Sequence, residues 1–134
     1  MFVVLIAGGI SAVVSYLSPE DPPPQIVAPS SVRSISTGEI IGMQGGRDAH
    51  AWLGIPYAEP PVAALRWKAP RSARPWQGRR EFTEFGERCP QISLLPGDGG
   101  KTIGDEDCLK LNVWAPLFHA KKIPQGNQRR PVMV

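Results

Sequence analysis

Gly54-Ile55-Pro56-Tyr57-Ala58-Glu59-Pro60-Pro61 and, further along, Glu106-Asp107-Cys108-Leu109-Lys110-Leu111-Asn112-Val113 are the two stretches on which the reading of this chain turns. The first continues the apolar run Ala51-Trp52-Leu53, rich in aromatic and branched side chains, and reads as a strand stopped by Pro56, Pro60 and Pro61. In the second, Leu109, Leu111 and Val113 alternate with Lys110 and Asn112, the period of a strand with one buried face.

Upstream of these, Ser34-Ile35-Ser36 alternates, Thr37-Gly38 turns, Glu39 to Met43 begins again, and Gln44 to Asp48 makes a second turn. Two or three antiparallel strands are the expectation. Residues 56–91 form a Pro- and Arg-rich traverse, broken again at Pro70 and Pro75, which needs a packing surface elsewhere. Leu117 to Arg130 is a polar connection, and Pro131-Val132-Met133-Val134 starts one more strand.

The 134 residues give room for one domain, not two. Pro 15 and Gly 14 together exceed a fifth of the chain, too many helix breakers for a bundle. Residues 1–18 read as a signal peptide or apolar leader, helical in character, although no Lys or Arg precedes Arg33. Residues 19–31, with Pro22-Pro23-Pro24, read as a linker, and 32–134 as the domain. The leader, if uncleaved, is the one route to a membrane. Secretion or another extracytoplasmic location is expected.

Fifteen Lys plus Arg against twelve Asp plus Glu leave a net charge of +3, too mild for a dedicated nucleic-acid binder of this size. Arg66, Lys68, Arg71, Arg74, Arg79, Arg80 and Arg88 do interleave with Trp67 and Trp76, but Glu81, Glu84 and Glu87 cancel much of their field. No nucleic-acid partner is expected. Gly97 to Thr102 ends like a phosphate-binding loop, yet Leu95 replaces the first glycine and Gly104 opposes the helix that should follow. Asp105-Glu106-Asp107 lacks the spacing of a calcium loop. Two cysteines allow one bridge or none, and His50 and His119 do not flank them at zinc-finger spacing. His50 reads as an exposed loop histidine. No G-x-S-x-G elbow and no activated nucleophile is visible, so catalytic, cofactor and metal residues are all expected to be absent.

The blocks Gly54 to Pro61, Leu65-Arg66-Trp67, Pro75-Trp76, Cys89-Pro90-Gln91 and Glu106 to Val113 together resemble the opening of type-B carboxylesterases and cholinesterases. Trp67 stands for a usual Phe, Lys110 for a usual Tyr, and Ala63-Ala64 where a glycine is common. Pro131 to Val134 resembles the strand leading into that family's His-Gly-Gly oxyanion loop. The resemblance implies an α/β fold, the N-terminal portion of an α/β-hydrolase, represented here mainly by short antiparallel strands and long loops. It implies a serine esterase whose nucleophile, histidine, acid and oxyanion loop are not in this sequence. The chain then reads as a fragment that is inactive alone and meets a small ester substrate only within a full-length protein. The alternative is a secreted, non-enzymatic binding module on the same scaffold. The resemblance further implies a disulfide between Cys89 and Cys108 and an ion pair between Arg66 and Glu106.

Overall fold

Turn residues and prolines cut the chain into short extended pieces, and a computed structural model shows how these pair. It describes residues 26–134 except Arg47, Leu95, Pro96 and Asp98. Strands β1 (Arg33–Ile35) and β2 (Gly38–Ile41) form an antiparallel hairpin in which Arg33 faces Ile40 and Ile35 faces Gly38. Strands β3 (Met43–Gly45) and β4 (Ala49–Pro56) form the next one. Next come β5 (Arg79–Glu81), the short pair β6 (Gln91–Ile92) and β7 (Thr102–Ile103), and β8 (Lys110–Pro116).

Two three-stranded sheets result, in the orders β1-β2-β5 and β3-β4-β8. The long β4 is the centre of the second sheet. Residues 50–53 are buried, with β3 and β8 paired along the two edges of β4 and Ile40, Trp76 and Phe82 packed with Trp52 and Ile55. Ile40, Trp52, Ile55, Trp76 and Phe82 make the core between the two sheets. Each such side chain contributes about 1.5–3 kcal/mol by leaving water. The indole N–H groups are satisfied: Trp52 Nε1 donates to Ser31 O at 3.0 Å, and Trp76 Nε1 to Glu39 O at 3.2 Å.

The Pro-rich traverse finds its packing surface here. Trp76 N donates to Thr37 O and Phe82 N to Ile41 O, both at 2.8 Å, while Leu53 N donates to Phe82 O at 3.0 Å. The traverse is thereby stitched between the sheets, with Trp76 and Phe82 as its inward anchors.

Four expectations change. The sheet containing β5 is mixed, because β2 and β5 run parallel, with Glu39 opposite Arg79 and Ile41 opposite Glu81. β5 itself escapes a pattern search, since Arg79, Arg80 and Glu81 are all exposed and carry no apolar alternation. The linker reading of 19–31 fails at its C-terminal end: Ala28 and Ser31 are buried, Val27 bridges Met43, and Pro29–Ser31 forms a 3-10 turn against the body. Small side chains let that segment lie close to β2 and β3, and proline alone did not reveal it. Pro131 to Val134 forms no strand, and Val132, Met133 and Val134 are exposed, with no described strand alongside to pair with. The expectation of a helical apolar leader over 1–18 falls outside the described residues.

Candidate functional site

The two signature stretches meet at one corner of the second sheet. β4 carries a bulge there: Trp52 faces Val113 and Ile55 faces Leu111, so Leu53 and Gly54 together oppose Asn112. Gly54 sits at φ +76°, and a Cβ on it would lie 2.7 Å from Glu84 O, so the position demands glycine. Its N–H, turned out of the ladder by the bulge, donates to Asn112 Oδ1 at 2.9 Å. The asparagine of the second block therefore caps the irregularity that the glycine of the first block creates. Just beyond, Tyr57 N donates to Leu109 O at 3.1 Å and extends the contact.

Cys89 and Cys108 form a disulfide across 19 residues of sequence. Beside it Gly104, at φ +95°, passes so close to Arg88 O and Cys89 O that any side chain would collide with them. Asp105 N donates to Arg88 O at 2.8 Å, and Asp107 N to Asp105 Oδ1 at 2.7 Å. The acidic triplet thus builds a turn. Its Glu106 projects to Arg66, Oε1 to Nε 2.5 Å, and its Asp107 to Lys110 Nζ at 3.2 Å. The Arg66 side chain is 58% exposed and that of Glu106 33%, so the pair is a solvated clasp and not a buried one. Hydrogen bonding to Glu106, then its charge, raises the Arg66 pKa.

Other arginines of the traverse are also engaged. Arg74 Nε meets Glu59 Oε1 at 2.7 Å, and Arg79 Nε meets Glu39 Oε2 at 2.8 Å. The hydrogen bond from Arg74 holds the Glu59 carboxyl below its usual range, against a smaller opposing effect of burial. Arg80 stacks over Trp76, its Cζ 4.8 Å from the ring centroid. Thr102, where a phosphate loop would open into a helix, lies in β7 instead.

Sequence reasoning missed one contact. His50 is not an exposed loop residue: it lies in β4 and is 1% exposed, because β4 begins earlier than the turn residues imply. Its Nε2 and Ser30 Oγ share a hydrogen bond at 2.9 Å, while its buried Nδ1 has no partner among the described residues. Twenty positions separate the two residues, and no local motif announces the pairing. Burial, then the positive charges of Arg33 and His119, keeps His50 below its ordinary pKa. A hydroxyl beside a neutral imidazole has the outline of an activated nucleophile, but the third group that would orient the base is missing from the Nδ1 side.

A cavity of about 500 Å3 opens between the sheets, lined by Ile35, Ile40, Ile55, Leu111, Val113 and Ala115 among others. Arg33 and Thr37 supply polar groups at its wall. It suits an apolar group. Among the described residues no cluster of three His, Cys, Asp or Glu side chains could hold a metal. The corner is architecture: it fixes where β4, β8 and the traverse stand.

Comparison with known proteins agrees along the length of this body. The model of the carboxylesterase family matches residues 29–134, starting in the packed 3-10 turn. Esterase E4 of Myzus persicae is 42% identical over 103 residues, covering 74% of this chain and 17% of that protein. Fumonisin B1 esterase of Sphingopyxis macrogoltabida is 38% identical over 107 residues, covering 79% of this chain and 18% of that protein. Among solved structures, a PNB esterase superposes with a TM-score of 0.56 at 35% identity, over 71% of this chain and 19% of that one. The chain thus spans less than a fifth of the length of the relatives it matches. The short strands and long loops are the N-terminal portion of an α/β-hydrolase. With both signature blocks, their bulge and their disulfide corner in place, the chain belongs to the carboxylesterase family.

Proposed function

We propose that this chain is the N-terminal segment of a serine carboxylic-ester hydrolase, built to position strands and walls and inactive by itself. In that chemistry a serine attacks the ester carbonyl, a histidine takes its proton, and backbone N–H groups hold the oxyanion. An acidic partner fixes the histidine's orientation. The observation that carries the reading is the family match over 29–134 combined with a span of 17–19% of its relatives. The serine–histidine contact noted above, Ser30 with His50, has no orienting partner on Nδ1 among the described residues. Small esters are the substrate class of the assembled protein. The disulfide between Cys89 and Cys108 supports an extracytoplasmic or secreted location, reached through a signal peptide in the apolar leader.

The test is hydrolysis of p-nitrophenyl butyrate. The 134-residue chain should leave the ester at its buffer rate. The same chain, joined to the remaining length of a PNB esterase, should hydrolyse it, and replacing the serine nucleophile of the added part should abolish turnover. Turnover by the chain alone that disappears in Ser30→Ala would overturn the proposal and place the active site at the Ser30–His50 contact.

A further inference from the structure

The segment 27–33 crosses the body as a strap, and its hold is concentrated on two serines. Ser31 is fully buried; its Oγ lies 2.6 Å from Ala28 O and 3.0 Å from Gly42 O and accepts from Gly42 N at 2.8 Å. Its carbonyl takes the Trp52 indole N–H. Ala28 N donates to Gly42 O at 2.9 Å. Ser30 reaches past this hub to His50, and Arg33 clamps the strap's end, donating to Ser30 O, Val32 O and Phe118 O.

His50 is the odd member of this arrangement. It is one of two histidines in the chain, it is buried, and its ring stands edge-on to Trp52 at 5.7 Å. Its cross-strand neighbours, Gln44 in β3 and Ala115 in β8, are uncharged. The charged groups acting on it are Arg33 from the strap and His119 from the segment after β8, and no carboxylate among the described residues opposes them.

A neutral imidazole fits this site with one buried nitrogen left over. A doubly protonated ring does not: Nε2–H can still donate to Ser30 Oγ, but Nδ1–H meets no acceptor among the described residues, and the new charge meets that of the Arg33 guanidinium. The strap is the element that can move to relieve this. It is short, and it contributes none of the core cluster Ile40, Trp52, Ile55, Trp76 and Phe82. We propose that residues 27–33 are a pH-gated strap, held over neutral His50 by the Ser31 hub and the Ser30 contact and released when His50 takes a second proton and its charge meets Arg33.

The direction follows from linkage. His50 binds its proton less readily with the strap docked than with it released, because release removes the Arg33 charge and part of the burial that lower its pKa and moves it toward the open-chain value near 6.5. The docked state is therefore fully favoured above that value. Its advantage falls as the pH drops from there through the lower, docked-state value, below which the imidazole contributes nothing further.

Hydrogen exchange on the full chain between pH 7.5 and 4.5, corrected for intrinsic rates, tests the device. The amides of Ala28, Ser31 and Gly42 report the strap, and those of Leu53 and Phe82 the core. Strap protection should fall about tenfold for each unit by which docking lowers the His50 titration, with core protection unchanged. In His50→Gln, which keeps an amide for Ser30 but cannot titrate, the strap should stay protected across the range. Equal acid loss in His50→Gln, or loss of core protection in the same step, overturns the proposal. Should that variant fail to fold, the wild-type protein still decides. The His50 ring resonance, assigned against His119→Gln, must titrate at the midpoint of strap release, and a release that follows another group overturns the proposal.

Discussion

Removing the bond between Cys89 and Cys108 tests the corner most directly. The two residues are 19 apart in sequence, and cross-linking a loop of that length withdraws about 3 kcal/mol of chain entropy from the unfolded state at 25 °C. Contacts that do not pass through the bond brace the loop: Asp105 N donates to Arg88 O, and β6 pairs with β7, and both are expected to survive reduction. The folded state therefore keeps its geometry, and the loss falls almost wholly on the unfolded side. β8 keeps its register on β4 as well, since Ala49 to Pro56 hold it independently. The perturbation is the pair Cys89→Ser and Cys108→Ser, with reduction of the wild-type protein as a second route. Urea unfolding followed by tryptophan fluorescence should show a midpoint lowered by about 2 M, taking a slope of about 1.5 kcal/mol per molar for a domain of this size. The slope itself should rise slightly, because the open chain exposes more surface. Coincident curves for oxidised and reduced protein would refute the entropic argument. Two reactive thiols in a native, unreduced sample would refute the bond.

Gly54→Ala should cost about 2–4 kcal/mol, combining a left-handed backbone for a non-glycine residue with a methyl group pressed on Glu84 O, read from the same urea midpoint. Asn112→Ala should cost less, about 0.5–1.5 kcal/mol, because water can reach the exposed Gly54 N–H that it leaves behind. Arg66→Ala should leave the midpoint nearly unmoved at physiological salt, since both partners of the clasp are solvated; a large loss there would show that the pair is buried in solution.

Much of the layout was legible in the sequence because it depends on local chemistry. Period-two alternation marked β8 as a strand, although Leu111 and Val113, expected on a buried face, are exposed, and the apolar run ended by prolines marked the outer half of β4. The turns at Thr37-Gly38 and after Gly45 marked the hairpins. The two signature blocks carried the family, and with it the expectations about Cys89, Cys108, Arg66 and Glu106. These features survive in one dimension because each depends on residues adjacent in the chain, or on short blocks that resemble those of a known family.

What the tertiary structure alone decided are the contacts between segments that carry no pattern of their own. β5 is three exposed charged residues, and it is a strand only because β2 offers a parallel partner. The strap 27–31 reads as linker until Ser31 is seen filling a site against Gly42 and Trp52. His50 reads as a loop residue until β3, β8 and Ser30 enclose it. The clasp between Arg66 and Glu106 could be named from the resemblance, but its solvent exposure, and so its small energetic weight, could not. Burial is a property of what surrounds a side chain. For these residues the surroundings come from distant parts of the chain, which composition and periodicity do not bring together.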